Sequence, residues 1–148
     1  MDYEIWFKLV NLSVMPAWAL LVFAPKWKGT EKIVHTAFFP LMFGLAYIYF
    51  LSWGIVFGGS VEGAGMSTLA KVMLLFDSPV SMLAGWIHYL VFDLFIGAWI
   101  ARDAQRHDFA HIFVVPCLLL CFIFGPIGLF LYMVLCWVKG KGFSLREG

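Results

Sequence analysis

From Ile33 to Phe57 the chain runs without a single Asp, Glu, Lys or Arg. Crossing ~30 Å of hydrocarbon at 1.5 Å per residue takes roughly 20 apolar residues, so this run is long enough to span a bilayer as one helix. Three other runs meet the same length: Ile5 to Phe23, which carries Lys8 and Asn11 near its start; Pro79 to Ala101; and Phe109 to Val138. The last exceeds what a bilayer needs and should tilt, or bend at Pro116 and Pro126, or extend into the interface. The pattern predicts an all-α integral membrane protein, an antiparallel four-helix bundle forming one domain over 1–148, with spans at about 5–23, 33–57, 79–101 and 109–138. Composition agrees: 63% of the residues are hydrophobic and 13% charged, against roughly 25% charged in soluble domains.

The formal net charge is +1, and Lys and Arg are spread singly rather than gathered in a stripe. No electrostatic footprint for nucleic acid exists. The opening Met1-Asp2-Tyr3-Glu4 is acidic, unlike a signal or transit peptide, so the first run is expected to stay as a span. That points to a bacterial inner membrane, or a plastid membrane for a plant source.

Gly58-Gly59-Ser60 and Gly63-Ala64-Gly65 mark an irregular loop, after which Leu69 to Phe76 is expected in the membrane interface. Four spans would put both termini on one side, with Lys8, Lys71, Lys139, Lys141 and Arg146 there and Lys26, Lys28, Lys32, Arg102 and Arg106 on the other. The positive-inside count is then level and names no cytoplasmic face. Cys117, Cys121 and Cys136 fit no closed disulfide framework. Cys117 and Cys121 share a helical face, but with no His or carboxylate beside them they read as apolar fillers rather than metal ligands.

The third run holds most of the chemistry. Ser81, Gly85, Tyr89, Asp93, Gly97 and Ala101 recur every fourth residue, a largely small-residue ridge of the kind that lets another helix approach closely. The ridge should therefore face protein, as Gly54 and Gly58 and, later, Gly125 and Gly128 would more weakly. Asp93 lies about 21 Å from the start of the run, too deep to reach headgroup water. Intramembrane carboxyls cost ~2.5 to 3.5 kcal/mol near the helix centre and nearly always face a bundle interior. His35 and His111 are the expected partners. His88 sits about 7.5 Å along the axis from Asp93 and ~140° around it, with Tyr89 between them and Ser13 and Tyr47 expected at the depth of His88. The plainer alternative makes His88 a core histidine and Asp93 a hydrogen-bond partner that fixes helix register. Asp77, Asp103 and Asp108 fall at or beyond span ends, where caps or solvated charges are expected.

The run Gly85-Trp86-Ile87-His88-Tyr89-Leu90-Val91-Phe92-Asp93-Leu94-Phe95-Ile96-Gly97-Ala98-Trp99, followed by Asp103 and by Phe124-Gly125-Pro126-Ile127-Gly128, closely resembles the plant neoxanthin synthase family, named for abscisic acid deficiency. The resemblance extends over nearly the whole chain. It implies a four-helix membrane protein linked to the conversion of violaxanthin, an epoxy carotenoid, to allenic neoxanthin. Opening an epoxide to an allene requires a proton delivered to oxygen and another removed from carbon, with no redox cofactor and no metal. Positioned acid and base groups supply such steps. On residue type and depth, Asp93 is the expected acid, His88 the base and Tyr89 a hydrogen-bond donor, with the first two roles reversible, while Trp86, Phe92 and Tyr47 are expected ligand contacts. The partners expected are membrane lipid and a carotenoid or other isoprenoid. Two rival readings stand beside the isomerase: a non-enzymatic carotenoid- or lipid-binding protein that assists another enzyme, and a small proton-coupled carrier using Asp93 and His88 as a relay.

Overall fold

The computed structural model describes residues 1–57 and 61–141; the Gly58-Gly59-Ser60 part of the expected loop and Arg146 lie outside them. The described residues form helices and no strand: α1 (Tyr3–Phe23), α2 (Lys28–Ile33), α3 (Phe38–Val56), α4 (Leu69–Phe76), α5 (Pro79–Arg106), α6 (His111–Phe124) and α7 (Pro126–Val138). Three runs are long and apolar enough to cross a membrane: Tyr3–Phe23, Lys28–Val56, which holds α2 and α3, and Pro79–Arg106. Large apolar side chains point outward on α1, α3 and α7, among them Leu12, Leu45, Ile55 and Phe130, the last 70% exposed. Such an apolar perimeter suits lipid rather than water.

Local chemistry sets the helix ends. The Asp2 carboxylate accepts from the Glu4 and Ile5 backbone N–H groups at 3.1 and 3.2 Å, satisfying donors that the first turn of α1 leaves open. Thr68 caps α4 by accepting from the Lys71 N–H at 3.3 Å. Beyond α5, Asp108 adopts φ 53° and the Phe109 N–H returns to the Ala104 carbonyl at 2.9 Å, a left-handed stop that ends the helix.

The chain packs as two units. The first comprises Met1–Ser13 and Phe38–Val91. In it the ring of Trp6 meets Phe50 edge-on at 5.5 Å, Val80 packs against Gly54, and the Phe76 ring of α4 occupies the space beside Gly85. Phe43, Phe50, Val80 and Ile87 are buried. No residue of α4 is buried, yet its Phe76 ring packs on α5 beside Gly85.

The second unit comprises Val14–Ala37 and the chain from Phe92 onward. Its core includes Val14, Leu21, Ile100, Leu118 and Cys121. Here the indole of Trp18 lies where a Cβ on Gly97 would fall, so the ridge on α5 does face protein at its glycine. One end of this unit is tied together by three contacts. Gln105 Nε2 donates to the Pro25 carbonyl at 3.2 Å, Arg102 Nη1 lies 3.3 Å from His35 Nδ1, and His111 Nε2 lies 2.8 Å from the Val22 carbonyl.

The expected fourth span is not one helix. Gly125 adopts φ 51° and ψ −91° between α6 and α7, a conformation open to glycine and poor for other residues, and Pro126 begins the next helix without an N–H to continue the first. Gly128 then lies so close to α6 that a Cβ would overlap the Cys117 carbonyl and the backbone of Cys121. At 1.5 Å per residue α6 reaches about 21 Å and α7 about 20 Å, each short of the ~30 Å hydrocarbon. The chain doubles back. Lys139 Nζ ends 5.6 Å from the centroid of the Phe113 ring, at the end of the unit where α6 starts.

The level charge count rests on a fourth span carrying Lys139 and Lys141 away from the end where α6 starts. Within the second unit they return to the end that holds Lys26, Lys28, Lys32, Arg102 and Arg106.

Candidate functional site

Asp93 falls near the middle of α5, about 20 Å from Arg106, and Gly125 lies about 21 Å along α6 from His111. Because the two helices leave the same end of the unit, these distances put both residues at one depth. A Cβ on Gly125 would overlap the Asp93 carboxylate, so the acid side chain rests on the bare backbone of the α6–α7 break. The Asp93 carbonyl meanwhile accepts from Cys121 Sγ at 3.5 Å. The half-buried Asp93 side chain lies against Gly125, the residue that immediately precedes the first turn of α7. His35 and His111, the partners expected for Asp93, meet Arg102 and the Val22 carbonyl. The company the sequence foretold for Asp93 is thus a helix break.

The other residues singled out from sequence belong to the first unit, apart from Phe92. The exposed His88 has its ring 6.0 Å from that of Tyr47. Tyr89 stacks obliquely on Trp86 at 5.2 Å. Trp86 in turn donates through Nε1 to Asn11 Oδ1 at 3.2 Å and packs on Phe7 at 5.5 Å, which ties α5 to α1. Ser13 hydrogen-bonds within its own helix, to the Val10 carbonyl at 2.8 Å. Phe92, in the second unit, points outward and is 55% exposed.

Asp103 departs from its expectation as a cap or solvated charge. It is buried, 4% exposed, and Tyr132 of α7 donates its hydroxyl to Oδ2 at 2.6 Å. His107 Nε2 lies 3.7 Å from the same oxygen, one turn along α5. Trp99 and Phe109 flank the phenol with ring centroids at 5.7 and 6.1 Å. A carboxylate can be taken out of water in this way because the phenol and the imidazole replace the lost solvent partners. The sequence held one clue: Tyr132 carries the only hydroxyl group between Phe109 and Val138, and a polar group in such a run needs a partner. What hid the pairing was the doubling back of α7.

An apolar groove of about 170 Å³ runs between α1 and α6 in the second unit, with Trp18, Val22, Leu119 and Phe122 among its walls. Trp18 and Phe122 face each other across it at 5.4 Å. Among the described residues no three His, Cys, Asp or Glu side chains gather as a metal would require. Cys117 and Cys121 are buried thiols, the former directed at the Phe113 carbonyl at 3.6 Å.

Apolar helices long enough to cross a bilayer, a broken apolar hairpin and carboxyl groups turned inward mark an all-helical protein with several candidate membrane spans. The family model described as ABA4-like, ABA DEFICIENT 4-like, matches residues 5–132, and the chain belongs to that family. It is 27% identical over 135 residues to Protein ABA DEFICIENT 4, chloroplastic, of Arabidopsis thaliana, covering 86% of this chain. The chain spans 59% of the length of that relative. No solved structure matches.

Proposed function

We propose that this ABA4-like protein isomerises a carotenoid or another isoprenoid lipid within the membrane by acid–base chemistry, with Asp93 as the proton donor. The observation that carries this reading is the seat of Asp93 against the Gly125–Pro126 break, since the two sequence motifs of the family resemblance meet there. A proton donor to an epoxide oxygen has to be held at a fixed place in the apolar layer, and the break fixes the Asp93 side chain. Proton delivery there opens the C–O bond, and loss of a proton from carbon completes the isomerisation with no net change of redox state. The groove beside Trp18 and Phe122 offers an apolar wall for part of a polyene chain. The resemblance to the neoxanthin synthase family supplies the substrate class, and the membrane proposed is a bacterial inner membrane, or a plastid membrane for a plant source. The base role of His88, the donor role of Tyr89 and ligand contacts by Trp86, Phe92 and Tyr47 rest on the sequence alone.

The test expresses the chain in a host that makes violaxanthin and separates the pigments by chromatography. An allenic product is expected, with Asp93→Asn lowering its formation by roughly 10²- to 10⁴-fold. Unchanged pigments in cells holding inserted, folded protein would reject the substrate. Pigment that co-purifies unaltered with both wild type and Asp93→Asn would favour the non-enzymatic binding reading.

A further inference from the structure

The charged end of the second unit carries an open cavity of about 520 Å³, whose walls include Lys26, Glu31, His35, Arg102, Gln105 and Arg106. Three obligate cations thus face one carboxylate, with His35 and the Gln105 amide between them. The wall is held in place from both sides: Gln105 is anchored on the Pro25 carbonyl at 3.2 Å, and Arg102 Nη1 sits 3.3 Å from His35 Nδ1. A guanidinium can only donate, so His35 Nδ1 accepts and the ring proton resides on Nε2. That Nε2 is buried behind the wall and has no hydrogen-bonding partner among the described residues, a donor left unanswered at the base of the charged cluster.

We propose that this cavity binds a phosphate-type anionic group. Paired guanidiniums match phosphate oxygens with fork-shaped donor sets, and the ammonium of Lys26 adds a point charge. The location fits as well. The cavity lies where α1 and α5 both end, beside the exposed indole of Trp27, a ring type that settles at the headgroup level. Basic pockets between membrane helices at this depth take up phosphodiester headgroups. The same chemistry would serve a soluble phosphate ester, so the ligand comes either from the bilayer or from the aqueous side. This inference stands apart from the isomerase reading, because it uses neither Asp93 nor the apolar groove.

The full chain in detergent is titrated with phosphatidylglycerol, phosphatidylcholine and inorganic phosphate, and occupancy is read by native mass spectrometry. Wild type is expected to retain phosphatidylglycerol over phosphatidylcholine, and Arg102→Gln/Arg106→Gln to bind it roughly tenfold more weakly or worse. A second variant, Lys26→Gln/Arg106→Gln, leaves the Arg102–His35 contact intact and is expected to weaken binding by a similar factor, with thermal unfolding as the check on folding. Displacement of the lipid by millimolar phosphate would assign the site to a soluble ester; resistance to it would assign the site to a lipid headgroup. Equal retention of the two lipids by wild type together with no uptake of inorganic phosphate, or unchanged occupancy by whichever of these wild type binds in the folded Lys26→Gln/Arg106→Gln variant, would overturn the proposal.

Discussion

The Asp93 carboxylate fills the space that a side chain on Gly125 would occupy. One residue comes from the middle of α5 and the other from the break between α6 and α7, and each explains the other. The glycine leaves room for the acid, and the break interrupts the helical backbone where the acid packs.

Gly125→Ala is therefore expected to be damaging on two counts. A positive φ with ψ −91° is a sparsely populated backbone region that costs an L-residue about 1–3 kcal/mol, and the methyl group would also displace Asp93. Thermal unfolding in detergent should show a marked loss, and Asp93→Ala in the same chain should recover the second part but not the first. Strictly additive losses in this double-mutant cycle would show that the two residues do not share the space.

Tyr132→Phe removes the hydroxyl from a buried carboxylate while leaving the ring packed against Trp99 and Phe109. The expected cost is about 1–3 kcal/mol, read as a lowered unfolding temperature. Asp103→Asn should shrink the effect of Tyr132→Phe, because a neutral amide loses less when the donor goes. An unfolding temperature equal to that of wild type would mean that solvent serves Asp103 instead.

Gly97→Leu tests the ridge on α5. The Trp18 indole occupies the space beside Gly97, so the larger side chain must push α1 away at a cost of about 1–3 kcal/mol or more. Poor membrane accumulation or early unfolding is expected, whereas Phe95→Leu on the exposed side of the same helix should be tolerated. Equal behaviour of the two variants would argue that Trp18 does not rest on Gly97.

How far the sequence could be read depended on how local each signal was. The helical runs follow from apolar length, and the small residues of α5 announced a face toward protein, as Trp18 on Gly97 now illustrates. The inward turn of Asp93 followed from the cost of an acid in lipid. Its neighbour did not, because Gly125 and Pro126 can kink a long helix or reverse it, and the outcome depends on whether Gly128 can sit on Cys117 and Cys121. Read as one long span, residues 109–138 put Tyr132 far from Asp103, which it in fact meets, and the charge count comes out level.

The reversal makes a prediction about sidedness. Single cysteines introduced as Lys28→Cys and Lys141→Cys, both at exposed positions, should react with an impermeant maleimide from the same face of the membrane. The three native thiols are buried and should add little background. With Lys26, Lys28, Lys32, Arg102, Arg106, Lys139 and Lys141 gathered there, that face should be cytoplasmic. Labelling of the two positions from opposite faces would restore a single span over 109–138.

The hairpin also bears on how the chain is made. Judged by apolar length, residues 111–138 would be threaded through to the far side, and Lys139 and Lys141 would go with them at a cost of a few kcal/mol each. Lowered into the bilayer and drawn back, the same residues leave both lysines on the side of their synthesis. Biogenesis of this stretch then requires lateral partitioning into lipid and no translocation of charge.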